Sequence, residues 1–92
     1  MIQSFKDAAT KALFETGSSR RWTAIQAAAR RKLDQLEASM NLADLRIPTG
    51  NRLEALKSRR AGQHSIRIND QYRIGFRWKD DGVHEVEITD YH

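Results

Sequence analysis

The sequence contains no cysteine, so it can form neither a disulfide framework nor a thiolate metal site, and nothing in it points to an oxidising compartment. It also lacks a long apolar run. The longest is a few alanines, far short of a membrane span. Lys6, Asp7, Lys11, Glu15 and Arg20 punctuate the opening residues and exclude the apolar region of a secretory signal. A cytoplasmic protein with no membrane partner is therefore expected. His64, His84 and His92 do not have the spacing of a zinc site, and the glycine patterns of phosphate loops and dinucleotide folds are missing. No metal and no cofactor are expected. Repeats, linkers and low-complexity tracts are absent as well. The 92 residues are read as one domain spanning 1–92, with a modest core.

Positive charge is present in quantity, and its placement says more than the net value of +4. Arg46, Arg52, Lys57, Arg59, Arg60, Arg67, Arg73, Arg77 and Lys79 fall between residues 46 and 79, opposed only by Glu54 and Asp70. Residues 80–92 reverse the sign with Asp80, Asp81, Glu85, Glu87 and Asp90. An arginine-rich segment suits phosphate contact through the planar guanidinium fork. The same composition also describes a well-solvated surface.

The hydrophobic period changes at the single proline, within "IPTGN" at 47–51. Before it the spacing is helical. A short apolar stub at Ile2–Phe5 is a possible first strand. "SFKD" offers Ser4 and Asp7 as a capping-box-like start, Phe5, Ala9, Ala12 and Leu13 follow at helical intervals, and Gly17 sits at a C-cap position. "TAIQ" then predicts Thr23 as the N-cap of a second helix. Its apolar stripe is Ile25, Ala29, Leu33, Leu36 and Met40.

After the proline the pattern alternates by two. A weak strand is predicted around Leu53, and Ile66 and Ile68 predict one face of a second. "NDQYRIGFRWKDDG" is the clearest strand, with Tyr72, Ile74, Phe76 and Trp78 on one side and Arg73, Arg77 and Lys79 on the other. "DDG" is a hairpin turn, and Val86 and Ile88 point inward from a last strand. Helices followed by an antiparallel meander predict an α+β fold: a small twisted sheet with an N-terminal helical hairpin packed on one face. Trp22, Trp78, Phe76 and the methionines are expected to fill the core, with His64 and His84 at the surface or a sheet edge.

On the outer face Arg67 and Arg73 stand on neighbouring strands, close enough to share one phosphate. Two guanidinium groups there would stabilise the charge that develops during in-line displacement. The competing arrangement pairs the outer arginines with Glu85 and Glu87 across the sheet. The tail adds Asp90, Tyr91 and His92. An imidazole titrates near neutrality, an aspartate orients it, and a tyrosine donates to a phosphate or stacks on a base. RNA carries its own nucleophile, the 2′-hydroxyl, so this set is workable for a ribonuclease.

The segments "MIQSF", "ALFETG", "GNRLEALKS", "GQHSIRINDQYRIGFRW" and "VEITDYH" together resemble HigB-type toxins, the plasmid maintenance killer branch of the RelE superfamily. The resemblance covers nearly the whole chain and is weakest at residues 20–45. It implies a RelE-like fold and a ribosome-dependent endonuclease that cleaves messenger RNA in the decoding site and so inhibits translation. It also implies a HigA-type helix-turn-helix antitoxin, through which the pair would reach operator DNA.

Carried over by position, Lys57, Arg67 and Arg73 match the family's basic site residues, and Asp90, Tyr91 and His92 its acidic, aromatic and imidazole positions. Arg59, Arg60 and Arg77 are further phosphate-binding candidates. Two positions depart from the family pattern: Glu54 stands where some members carry His, and Ser58 where Gly commonly follows the lysine. The general base is accordingly Glu54 or His92, with His92 or Tyr91 assisting the leaving 5′-oxygen. Two other classes compete with this reading: a non-catalytic basic RNA- or ribosome-binding module, and a protein whose basic face only docks an acidic segment.

Overall fold

The computed structural model describes residues 1–90. Two helices precede a four-stranded antiparallel sheet, the α+β arrangement predicted from the change of period. The helices are α1 (Ala8–Thr16) and α2 (Gln26–Ala38). The strands are β1 (Glu54–Ala55), β2 (His64–Arg67), β3 (Tyr72–Lys79) and β4 (Gly82–Asp90), hydrogen-bonded in that order.

Helix α1 starts three residues later than "SFKD" suggests. Residues 2–6 run extended along β4: Gln3 N donates to Val83 O at 2.7 Å and Lys6 N to Val86 O at 2.9 Å. Ser4 therefore cannot cap a helix, and its hydroxyl accepts from Glu85 N at 2.9 Å instead. Asp7 is the N-cap, accepting from Thr10 N at 2.7 Å. Gly17 closes the helix in the left-handed conformation expected of it (φ 79°). Ala12 is exposed, and Thr10 takes the inward place. Its hydroxyl donates to Asp7 Oδ2 and accepts from Ile88 N, each at 3.1 Å, which joins the helix start to β4.

The second start is displaced later as well: α2 begins at Gln26, with Ile25 rather than Thr23 at the N-cap position. Thr23 opens a tight helical turn, and its hydroxyl donates back to Ser19 O at 2.9 Å. Ser19 ties the preceding turn together, its hydroxyl accepting from Trp22 N at 3.1 Å while Gln26 Oε1 accepts from Ser19 N at 3.1 Å. Ala29, Leu33 and Leu36 form the buried stripe of α2. Met40 was expected to extend it but is 88% exposed, because the helix stops at Ala38 and Ser39 is extended. Met1 is exposed as well, so neither methionine fills the core.

The inner face of the sheet supplies Ile66, Ile74, Phe76, Val83, Val86 and Ile88 to a core shared with Leu13, Leu33 and Leu36. Trp22 is buried with them, and Trp78 packs at the margin. A bulge lets Val83 and Val86 both face inward despite their odd spacing. Between the pairs Gly75↔Glu87 and Arg77↔His84, β4 holds two residues opposite Phe76 alone, and Glu85 takes a left-handed conformation (φ 53°).

The loop between α2 and β1 is held from within by Asn51, which is fully buried. Its Nδ2 donates to Gln35 Oε1 at 3.0 Å and Leu45 O at 3.1 Å, while its Oδ1 accepts from Lys32 Nζ. Burial, and then the neighbouring Arg31 charge, pull the Lys32 ammonium below the usual lysine value.

The hairpin turn carries a second polar tie, between His84 Nε2 and Asp81 Oδ1 at 2.7 Å. That hydrogen bond holds the Asp81 carboxyl below its ordinary value of 3.8. The folded chain thus binds this proton more weakly than the unfolded chain. The stabilisation is present above about pH 4 and is lost as the pH falls through the lowered value.

Two outcomes are expected. Asn51→Ala leaves Lys32, Gln35 and the Leu45 carbonyl without their shared partner and should cost about 1–3 kcal/mol in urea unfolding, with an unchanged slope. Asp81→Asn should flatten the acid limb of a stability–pH profile, measured by thermal melting between pH 2 and 6, relative to the native chain.

Candidate functional site

The strand register lays side chains of the outer face in two rows. Glu54 pairs with Ser65, Ser65 with Gly75 and Gly75 with Glu87, which aligns one residue from each strand. Arg67, Arg73 and Thr89 form the adjacent row. Between them lies a hollow of about 280 Å³ lined by Glu54, Leu56, Arg60, Ser65, Arg73, Gly75, Thr89 and Asp90. Two arginines and two carboxylates therefore face one small cavity, on the side of the sheet away from the helices.

Arg73 is placed on the outer face as its parity predicts, but it is only 5% exposed rather than displayed to solvent. Nε donates to Ser65 Oγ at 2.7 Å; Nη2 donates to Arg52 O at 2.6 Å and to Ser65 O at 3.2 Å. Nη1 lies 3.7 Å from Glu54 Oε1. A buried guanidinium needs these partners, since an unpaired charge out of water is costly. The Arg52 carbonyl reaches it because Arg52 is left-handed (φ 46°) at the end of the tight turn that Asn51 anchors. Each bond fixes the plane of the guanidinium, so its position is set before any ligand arrives.

The other candidates divide into groups. Glu54 is half exposed at the end of β1 and lines the hollow. Asp90 lines it too, with Gln71 Nε2 donating to its Oδ2 at 3.1 Å. Tyr91 and His92 lie outside the described residues. Arg60 reaches over the sheet to Glu87 Oε1 at 3.2 Å. Arg67 stands directly across from Arg73, and its guanidinium pairs with Asp70 of the intervening turn. Arg77 is drawn to Glu85 at 2.7 Å and does not line the hollow. The cross-strand pairing weighed against phosphate binding is thus real for Arg77, whereas Glu87 takes Arg60 and Lys6 instead of a β3 arginine. Lys57 and Arg59 are exposed in the loop beside the hollow.

Several contributors escape a reading of composition and parity. Ser65 and Thr89 look like ordinary outer-face polar residues, and Gly75 like a lapse in an alternating strand. The Arg52 carbonyl has no side-chain signal at all. Ser58 did carry one. It adopts φ 57°, the left-handed region that disfavours a side chain and that a glycine in its place would take without strain. Among the described residues no cluster of His, Asp and Glu is arranged to hold a metal ion. No helix among them is long and apolar enough to cross a membrane.

A helical hairpin on one face of a four-stranded antiparallel sheet, with a basic and acidic hollow on the other, is the RelE-like arrangement. A family model described as the RelE-like toxin of type II toxin–antitoxin system HigB matches residues 3–92. The toxin HigB-1 of Vibrio cholerae serotype O1 is 42% identical over 82 residues, which cover 87% of this chain and 86% of that protein. An uncharacterized protein of Haemophilus influenzae is 41% identical over 58 residues, 63% of this chain and 57% of its own length. The chain belongs to the HigB family, the RelE-like toxins of type II toxin–antitoxin systems. Its partner in such a system is an antitoxin.

Ser58→Gly relieves the left-handed strain at the cost of a freer unfolded chain. It should raise stability by up to about 1 kcal/mol in urea or thermal unfolding, without moving Arg73.

Proposed function

We propose that this toxin is a ribosome-dependent messenger-RNA endonuclease acting in the cytoplasm, and that the hollow on the outer face of the sheet receives the scissile phosphate. The observation that carries this reading is Arg73: a guanidinium held immobile by β1, β2 and the preceding loop, at the wall of a cavity that also holds two carboxylates.

In the proposed reaction the 2′-oxygen attacks phosphorus and the bond to the 5′-oxygen breaks. The products are a 2′,3′-cyclic phosphate and a free 5′-hydroxyl. A base, Glu54 or His92, takes the 2′-hydroxyl proton, and His92 or Tyr91 returns one to the departing 5′-oxygen. Arg73 stabilises the negative charge of the five-coordinate phosphorus, where fixed donors act most strongly because they need no reorganisation. Asp90 lines the hollow and directly precedes Tyr91 and His92 in the chain, which supports its role in orienting that pair. Lys57, Arg59, Arg60 and Arg67 hold flanking phosphates. Arg67 can do so because its partner Asp70 is fully exposed, and exposed ion pairs are weak. Arg77, tied to Glu85, has a lesser role.

A HigA-type helix-turn-helix antitoxin would neutralise the toxin and link it indirectly to operator DNA. Family membership and the basic surface support this.

The test is expression from a tightly controlled promoter with mapping of messenger 5′ ends on translated transcripts. New ends should appear with the native chain. Arg73→Ala and His92→Ala should each lower cleavage by about 100-fold or more. Arg73→Lys should fail similarly, since an ammonium cannot reproduce the fork that engages Ser65 and Arg52 together. Growth arrest without new ends would replace the nuclease with a non-catalytic ribosome-binding module.

A further inference from the structure

Arg60 and Arg73 line the same hollow but are held in opposite ways, and the difference rests on Gly75 and Glu87. Arg60 belongs to the turn at Ser58–Arg60, between β1 and β2, whereas Glu87 is on β4 at the far side of the sheet. For their 3.2 Å contact the Arg60 side chain must cross the row in which Ser65 and Gly75 lie between Glu54 and Glu87. Gly75 leaves the path open. A Cβ placed there would lie 3.8 Å from Glu87 Cγ and 3.9 Å from Arg60 Nη1, so one methyl group fits and anything longer enters the hollow. No positive φ is recorded at Gly75, which makes space, not backbone freedom, the reason for glycine.

The Arg60–Glu87 pair is also built to separate. Arg60 is 47% exposed, and such pairs are weak against solvent or a competing anion. Glu87 is only 12% exposed, but Lys6 Nζ stands 3.7 Å from its other oxygen, so its charge stays compensated when Arg60 departs. Arg73 has no comparable freedom.

We propose that Arg60 is a movable arm of the site, resting on Glu87 across Gly75 in the free protein and transferring its guanidinium to a phosphodiester of the RNA strand that enters the hollow. Gly75 then sets the size of what can enter, and Glu87 is a positioning residue that holds the arm away from the phosphate until RNA competes for it. This rests on the nuclease reading above and extends it to RNA capture.

The test measures binding of the full chain to ribosomes programmed with a messenger 2′-O-methylated at the decoding-site codon, against unprogrammed ribosomes, over a range of salt. Arg60→Ala should weaken binding to programmed ribosomes and reduce the slope of log affinity against log salt by about 1, with no such change on unprogrammed ribosomes. Glu87→Gln should tighten binding in the native background, and the gain should shrink sharply in the Arg60→Ala background. Gly75→Leu should weaken binding more than Gly75→Ala does; thermal melting reports whether the larger residue is tolerated in the fold.

If the native chain shows no messenger-dependent binding, the nuclease reading and the arm fall together. If it binds and cleaves but Arg60→Ala leaves the slope unchanged, the arm alone is overturned. An equal loss on unprogrammed ribosomes would also overturn it, by assigning Arg60 to ribosomal phosphates.

Discussion

The buried guanidinium of Arg73 is the interaction on which the rest of the outer face depends. A cation removed from water must be met by oxygens, and the chain supplies them from three separate segments: Ser65 on β2, the Arg52 carbonyl and Glu54 on β1. Those partners cannot shift independently. Arg52 follows Asn51, whose amide is bonded to Gln35 of α2 and to the Leu45 carbonyl. A line of hydrogen bonds therefore runs from the helical layer, through the loop, to the cavity on the opposite side of the sheet. Geometry at the cavity is inherited from packing on the far side, and damage to the loop should reach Arg73 without touching it.

Against that fixed point the remaining arginines are graded by how firmly they are held. Arg77 is tethered to Glu85 away from the cavity, Arg67 to an exposed aspartate in its own turn, and Arg60 to a carboxylate that has a second cation in reserve. The acidic residues of β4 thus do more than balance charge. In the absence of an anion they give the arginines defined resting positions, and they limit the self-repulsion of a basic surface.

Much of the architecture was legible from spacing alone. The change of period at "IPTGN" separates helices from strands, and the alternation in β3 orients the sheet correctly. Errors gathered where tertiary contacts overrode a local signal. Ser4 has a plausible partner in Asp7 for a cap, but the extended pairing of residues 2–6 with β4 claims its hydroxyl. Thr23 was lost to local contacts instead: its hydroxyl donates back to Ser19 O within the turn that precedes α2. Met40 has the right interval to belong to the stripe of α2, yet the helix ends first. The cavity was harder. Parity placed Arg73 on the correct face, but its burial follows from strand register and from a carbonyl in a left-handed turn, neither of which has a residue type to announce it. Ser58 was the exception, a departure from a pattern at a position whose φ value suits glycine.

The extended pairing of residues 2–6 with β4 has a consequence in time. Ile2 bridges to Val83 and Phe5 to Val86, so residues 2–6 find their place only against β4, which is distant in the chain. Thr10 waits likewise for Ile88, and the cavity for Asp90. Contacts of such separation form late and cannot be anticipated by a nascent chain. The outer-face cavity is therefore a product of the whole fold, assembled only when segments from both ends of the described chain have met.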